Sequence, residues 1–87
     1  MWKLEFSKSA EKSVFRLDKT IQEHIAKYLS KVIVSNNPRA FGKALTGNKK
    51  SFWRYRVGDY RVICQIHDNE LIIIAIKIDH RKTVYEE

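Results

Sequence analysis

Residues 52–67 constrain the fold of this chain more than any other stretch: Phe52 to Val57 (FWRYRV), then Gly58-Asp59, then Tyr60 to His67 (YRVICQIH). Two runs rich in aromatic and β-branched residues, joined by two residues that accept positive φ, form a tight β-hairpin. A second turn signal, Asp68-Asn69, leads into a third run, Leu71 to Ile78. Its centre, Ile72-Ile73-Ile74, is apolar at successive positions, which fits a central strand covered on both faces.

Alternate residues of a strand share a face. Tyr60, Val62, Cys64 and Ile66 therefore lie together, and their composition is that of a core. If Trp53 and Tyr55 join them, Arg54, Arg56 and Arg61 converge on the opposite face. Guanidinium groups are planar, permanently charged donors that match phosphate oxygens. Three on one rigid sheet would make an anion site of fixed geometry. The competing reading is a strand edge guarded by charge against aggregation.

Upstream, Trp2-Lys3-Leu4-Glu5-Phe6 alternates as a half-buried strand does. Ser7 or Ser9 can cap a helix carrying Ala10, Val14 and Leu17, with Phe15 broadening its apolar face. Thr20 and Glu23 have capping-box spacing, with Asp18 an alternative cap. Ile21, Ile25, Tyr28, Leu29, Val32 and Ile33 then form one apolar face, while Lys27 and Lys31 face water. Asn36-Asn37-Pro38 stops the helix. Residues 39–50 read as a short helical turn plus loop anchored by Phe41, Ala44 and Leu45. The order is β-α-α-β-β-β. This is a single α+β domain over residues 1–87, a two-layer fold with a helical hairpin on one face of a largely antiparallel four-stranded sheet and a short C-terminal helical tail.

Charge is uneven over the 87 residues. Residues 1–38 hold 7 basic and 4 acidic groups, a balance of +3. Residues 39–67 hold 7 basic groups against Asp59 alone, +6, and residues 68–87 hold 3 against 5, −2. Together these make the net +7. A basic middle segment suggests a polyanionic partner, nucleic acid first. A single cysteine, Cys64, permits no internal disulfide and fits a reducing compartment. The N-terminus has no apolar signal segment, and the longest apolar run, Leu71 to Ile76, falls far short of the ~20 residues that span a bilayer. A cytoplasmic protein with no membrane contact is expected. The three histidines lack metal-ligand spacing, and no acid pair, nucleophile elbow or Walker motif is present. No metal or cofactor is expected.

The tail, Asp79-His80-Arg81-Lys82-Thr83-Val84-Tyr85, adds a second constellation. If residues 81–85 form a helical turn, Arg81 and Tyr85 share a face. A tyrosine whose pKa is lowered by nearby cations can transfer a proton.

With KALTG, FWRYRVGDYRVICQI and the terminal HRKTVY, nearly the whole chain resembles the RelE toxins of the RelE/ParE superfamily. That resemblance implies the toxin of a type II toxin–antitoxin system, a ribosome-dependent endoribonuclease (an mRNA interferase). It would cleave translated mRNA by 2′-hydroxyl attack on the adjacent phosphate. Carried over residue by residue, it gives Arg54, Arg56, Arg61, Arg81 and Tyr85 catalytic roles. The basic segment and tail, through Lys43, Lys49, Lys50, His80 and Lys82, would bind RNA. The implied partners are an acidic RelB-like antitoxin, the ribosome with its mRNA, and operator DNA only through the antitoxin complex. Well-known members often have lysines where this chain has Arg54 and Arg56. ParE-like members of the superfamily instead poison DNA gyrase, and generally lack the terminal arginine–tyrosine pair. A plain RNA-binding module is a third reading, disfavoured because the aromatic residues are expected in the core.

Overall fold

The computed structural model describes residues 1–45 and 52–80. Its elements are β1 (Lys3–Phe6), α1 (Lys8–Phe15), α2 (Lys19–Ser35), a 3₁₀ turn (Pro38–Ala40), β2 (Lys43–Ala44), β3 (Phe52–Val57), β4 (Tyr60–His67) and β5 (Ile72–His80). The sheet has five strands in the order β1-β5-β4-β3-β2, with β1 parallel to β5 and every other pair antiparallel. The extra strand relative to expectation is β2, which falls inside the segment read as turn and loop.

Both helices pack on one face, and the core lies between the layers. Ile25, Leu29 and Val32 of α2 are buried against Tyr55, Val62, Cys64, Ile73, Ala75 and Ile78 of the sheet. Truncating a side chain such as Leu29 to alanine in a core like this costs roughly 2–5 kcal/mol. Phe15 departs from expectation: it ends α1 and is 72% exposed. Ser7 caps α1, its Oγ accepting from the Ala10 amide at 3.1 Å. Its backbone N–H donates to the Ala75 carbonyl at 2.8 Å, tying helix to sheet. Thr20 is not a cap. α2 starts one residue before it, and Asp18 holds the N-cap position without a side-chain cap bond. α2 stops at Asn36-Asn37-Pro38 as expected, with Asn36 in the left-handed conformation (φ 62°).

The β3–β4 hairpin turns at Gly58-Asp59, with Gly58 at φ 60°. The β4–β5 connection is longer than the expected two residues. It spans residues 68–71, and the positive φ falls on Leu71 (56°) rather than on Asn69. β5 runs to His80, two residues beyond the expected end. Its pairing with β4 slips between Ile63 and Cys64, leaving Ile76 as an extra residue. That slip is a β-bulge, and Ile76 offers its carbonyl to the Ser7 hydroxyl at 3.3 Å. β5 is an interior strand, but only one of its faces is fully covered. Ile73 and Ala75 are buried, whereas Ile72 and Ile74 on the other face are half-buried. No helix among the described residues is long and apolar enough to cross a membrane.

Candidate nucleic-acid interface

The face of the sheet turned away from the helices carries the basic residues, and strand register arranges them in rows. The row nearest the β3–β4 turn holds Arg56, Arg61 and Asp79, each a direct partner of the next across β3, β4 and β5. The adjoining row runs through Lys43, Arg54, Ile63 and Lys77 across β2 to β5. A third row contains Phe52, Gln65, Ile74 and Glu5. Direct cross-strand neighbours hold their Cβ atoms about 4.5–5.5 Å apart. Five cations and one carboxylate therefore occupy two adjoining rows.

This concentration of like charge opposes folding. Arg56 directly opposite Arg61 is destabilising unless an anion lies between them. The Nε of Arg61 is buried, with no hydrogen-bond partner among the described residues. A buried donor left unpaired costs about 1–3 kcal/mol, so a bound phosphate oxygen would offset a standing penalty. Lys43, Arg54 and Arg56 also line a pocket of about 220 Å³ with Gly42 and Tyr28 at the β2–β3 edge.

The 38–44 segment owes its position to two core aromatics. The Tyr55 hydroxyl donates to the Pro38 carbonyl at 2.7 Å, and the Trp53 indole donates to the Phe41 carbonyl at 2.6 Å. Gly42 (φ 71°) packs so closely on β3 that an added Cβ would run into the Arg54 carbonyl oxygen and the Trp53 indole. Lys43 thereby comes opposite Arg54. The Arg39 guanidinium makes two bonds to Asp68, at 2.8 and 3.0 Å, joining this segment to the β4–β5 turn. Those bonds hold the Asp68 carboxyl below the usual carboxylate range. Burial pushes the Tyr55 hydroxyl well above the ordinary tyrosine value and the Cys64 thiol up to about 12. Both groups stay neutral and inert at physiological pH.

Arg54, Arg56, Arg61 and Lys43 are thus brought together on one face. Lys49, Lys50, Arg81, Lys82 and Tyr85 lie outside the described residues. His80 is separated from the group: it pairs with Tyr60 and lies edge-on to that ring, with centroids 5.0 Å apart, on the face that carries Val62. Lys77 and Asp79 belong to the open face and were missed, whereas Phe52 shares that face as strand alternation with Arg54 and Arg56 requires. Lys77 and Asp79 alternate with Ile76 and Ile78, a signal hidden by ending the strand at Ile78. Phe52 is the one aromatic residue among these rows. No group of three or more histidine, cysteine or acidic residues is placed to hold a metal ion among the described residues.

Comparison with known proteins agrees with this architecture. Residues 4–85 match the family of ParE toxins of type II toxin–antitoxin systems, parDE. An Escherichia coli protein described as a RelE-like toxin is 30% identical over 82 residues, covering 93% of this chain and 84% of its own length. A chain of the toxin–antitoxin complex RelBE2 from Mycobacterium tuberculosis matches with a TM-score of 0.81 at 22% identity, over 92% of this chain and 91% of that one. The free Escherichia coli toxin RelE, in a form with two arginines changed to alanine, matches with a TM-score of 0.78 at 26% identity, over 99% of this chain and 92% of its own. The two-layer fold with its helical hairpin is that of the RelE toxins, and the chain belongs to the ParE toxin family, within the RelE/ParE superfamily of type II toxin–antitoxin systems.

Proposed function

We propose that this toxin is a ribosome-dependent endoribonuclease of the RelE type. The observation that carries this reading is the row in which Arg56 and Arg61 stand side by side, backed by Arg54 and Lys43. The 2′-hydroxyl of a bound mRNA attacks the adjacent phosphate and the 5′-oxygen leaves. Arg54, Arg56 and Arg61 hold the extra negative charge of the phosphorane, the electrostatic contribution that usually dominates catalysis. On the resemblance, Arg81 adds a fourth guanidinium, and Tyr85 activates the 2′-hydroxyl or stacks on the base. Lys43, Lys49, Lys50 and Lys82 neutralise neighbouring phosphates. His80, set against Tyr60, stands apart from this set.

The partner is an acidic antitoxin of the RelB kind. Intact RelBE of Escherichia coli and RelB–RelE of Pyrococcus horikoshii are toxin–antitoxin complexes with the same fold on the toxin side. In this chain an open groove of about 710 Å³ runs between α2 and the β3–β4 turn, with Lys27, Lys31 and Arg56 around Tyr28, Val34 and Val57. Among the described residues its lining holds no acidic group. An acidic segment with apolar side chains is complementary to it, and at Arg56 would touch the basic rows as well.

Gyrase inhibition of the ParE kind is the second reading, favoured by the family match itself. It leaves the arginine rows without a chemical task. The two separate on induction in cells carrying a reporter mRNA with or without its start codon. The nuclease reading predicts new 5′-hydroxyl ends within the translated copy only, and none with Arg61→Ala. Intact reporter alongside gyrase-linked DNA breaks would favour the ParE reading.

A further inference from the structure

Arginine stays protonated in proteins, so the arginines of the open face can hold negative charge but cannot exchange a proton. Strand β5 supplies what they lack. Asp79 stands directly opposite Arg61, and Lys77 lies in the next row with Arg54. The Lys77 ammonium is 3.4 Å from the Asp79 carboxylate. Their side chains are 61% and 20% exposed, so the ammonium reaches outward while the carboxylate lies down among the cations. Opposite Cβ atoms are about 4.5–5.5 Å apart and diagonal ones about 7–8 Å. A phosphodiester seated on Arg56 and Arg61 is therefore within reach of both groups.

A surface ion pair adds little stability, and a carboxylate inside a polyanion-binding patch repels the ligand. Opposite Arg61, the Asp79 carboxylate offsets part of the repulsion between the arginines, and proton transfer gives it a chemical task as well. We propose that Lys77 and Asp79 form the acid–base pair of the cleavage reaction, an inference that rests on the nuclease reading above. Asp79 takes the proton of the 2′-hydroxyl as that oxygen bonds to phosphorus. The bond from phosphorus to the 5′-oxygen breaks, its electron pair stays on oxygen, and Lys77 protonates it. The products are a 2′,3′-cyclic phosphate and a 5′-hydroxyl, with no water consumed. The proton on Asp79 then passes to the neutral Lys77 amine, restoring both groups.

The test is single-turnover cleavage of ribosome-bound mRNA by the full chain and two variants close in size and shape. Asp79→Asn removes the base, and Lys77→Arg keeps the charge but cannot release a proton. Each should slow cleavage roughly 10²–10⁴-fold with ribosome binding no weaker than wild type and the fold intact by circular dichroism, and Asp79→Glu should recover part of the rate. A second mRNA carries sulfur in place of the scissile 5′-oxygen, and a thiolate leaves without protonation. On it Lys77→Arg should approach the wild-type rate while Asp79→Asn stays slow. Wild-type rates for both variants on ordinary mRNA, or equal impairment of Lys77→Arg on the two substrates, would overturn the pair and leave the nuclease reading standing. If the wild-type chain itself leaves ribosome-bound mRNA intact, both fall together.

Discussion

Arg61 lies between a like charge and an opposite one, with Arg56 across from it on β3 and Asp79 on β5. Removing one preorganised donor from a site that stabilises developing charge typically costs about 10²–10³ in rate. Arg61→Ala should therefore lose growth inhibition and cleavage to that extent while its circular dichroism stays that of the wild type and its melting point does not fall. Toxicity kept at equal expression would remove Arg61 from the site. If Asp79 takes the proton, Tyr85 is left to stack. Tyr85→Phe should then cut at close to the wild-type rate, whereas Tyr85→Ala should lose about 1–3 kcal/mol of transition-state binding. A strong defect in Tyr85→Phe would return the proton to the tyrosine. Period-2 alternation was enough to place Arg54, Arg56 and Arg61 on one face from sequence. Lys77 and Asp79 were not legible, because the bulge at Ile76 breaks the alternation just before them and the run of isoleucines ends there.

At the scale of elements, legibility followed the length of the repeating pattern. α2 shows its apolar face over more than three turns, and β3 and β4 alternate over whole strands. β2 has two residues and no periodicity. It exists because Trp53 and Tyr55 bond the 38–41 backbone and Gly42 fits against β3. Gly42→Ala combines a backbone clash with an unfavourable positive φ, so the denaturation midpoint should fall and Lys43 should leave its place opposite Arg54. An unchanged midpoint would contradict the packing described. Tyr55→Phe leaves the Pro38 carbonyl without its buried donor and should cost about 1–3 kcal/mol in urea unfolding. The β4–β5 turn was misread by length, since its anchor is Arg39, 29 residues away from Asp68 in the chain. Asp68 titrates lower folded than unfolded, so its stabilising contribution is present above the unfolded carboxylate value of about 3.9 and is lost as pH falls through the lower folded value. Asp68→Asn should weaken the acid limb of the stability–pH curve. An identical acid limb in the two proteins would show that the Arg39–Asp68 bonds do not persist in solution.

For the whole molecule, charge and fold point the same way. The +6 middle segment folds so that Lys43, Arg54, Arg56 and Arg61 share one open face, and the acidic groups of the last segment include Asp79 within it. Such a surface on a toxin calls for a covering partner, and coexpression with an acidic antitoxin should restore growth and give a copurifying complex. Lys27→Glu with Lys31→Glu should keep toxicity but escape neutralisation; neutralisation kept by that double variant would place the antitoxin elsewhere. The chain's overall assignment was carried by motifs and charge in the sequence, whereas its chemistry depends on which side chains the sheet brings into one row. That chemistry is tested most directly in a purified translation system, with mRNA integrity followed with and without ribosomes and gyrase supercoiling measured alongside. The account predicts mRNA cut at discrete positions only when ribosomes are present and supercoiling unaffected. Intact mRNA together with blocked supercoiling would contradict it.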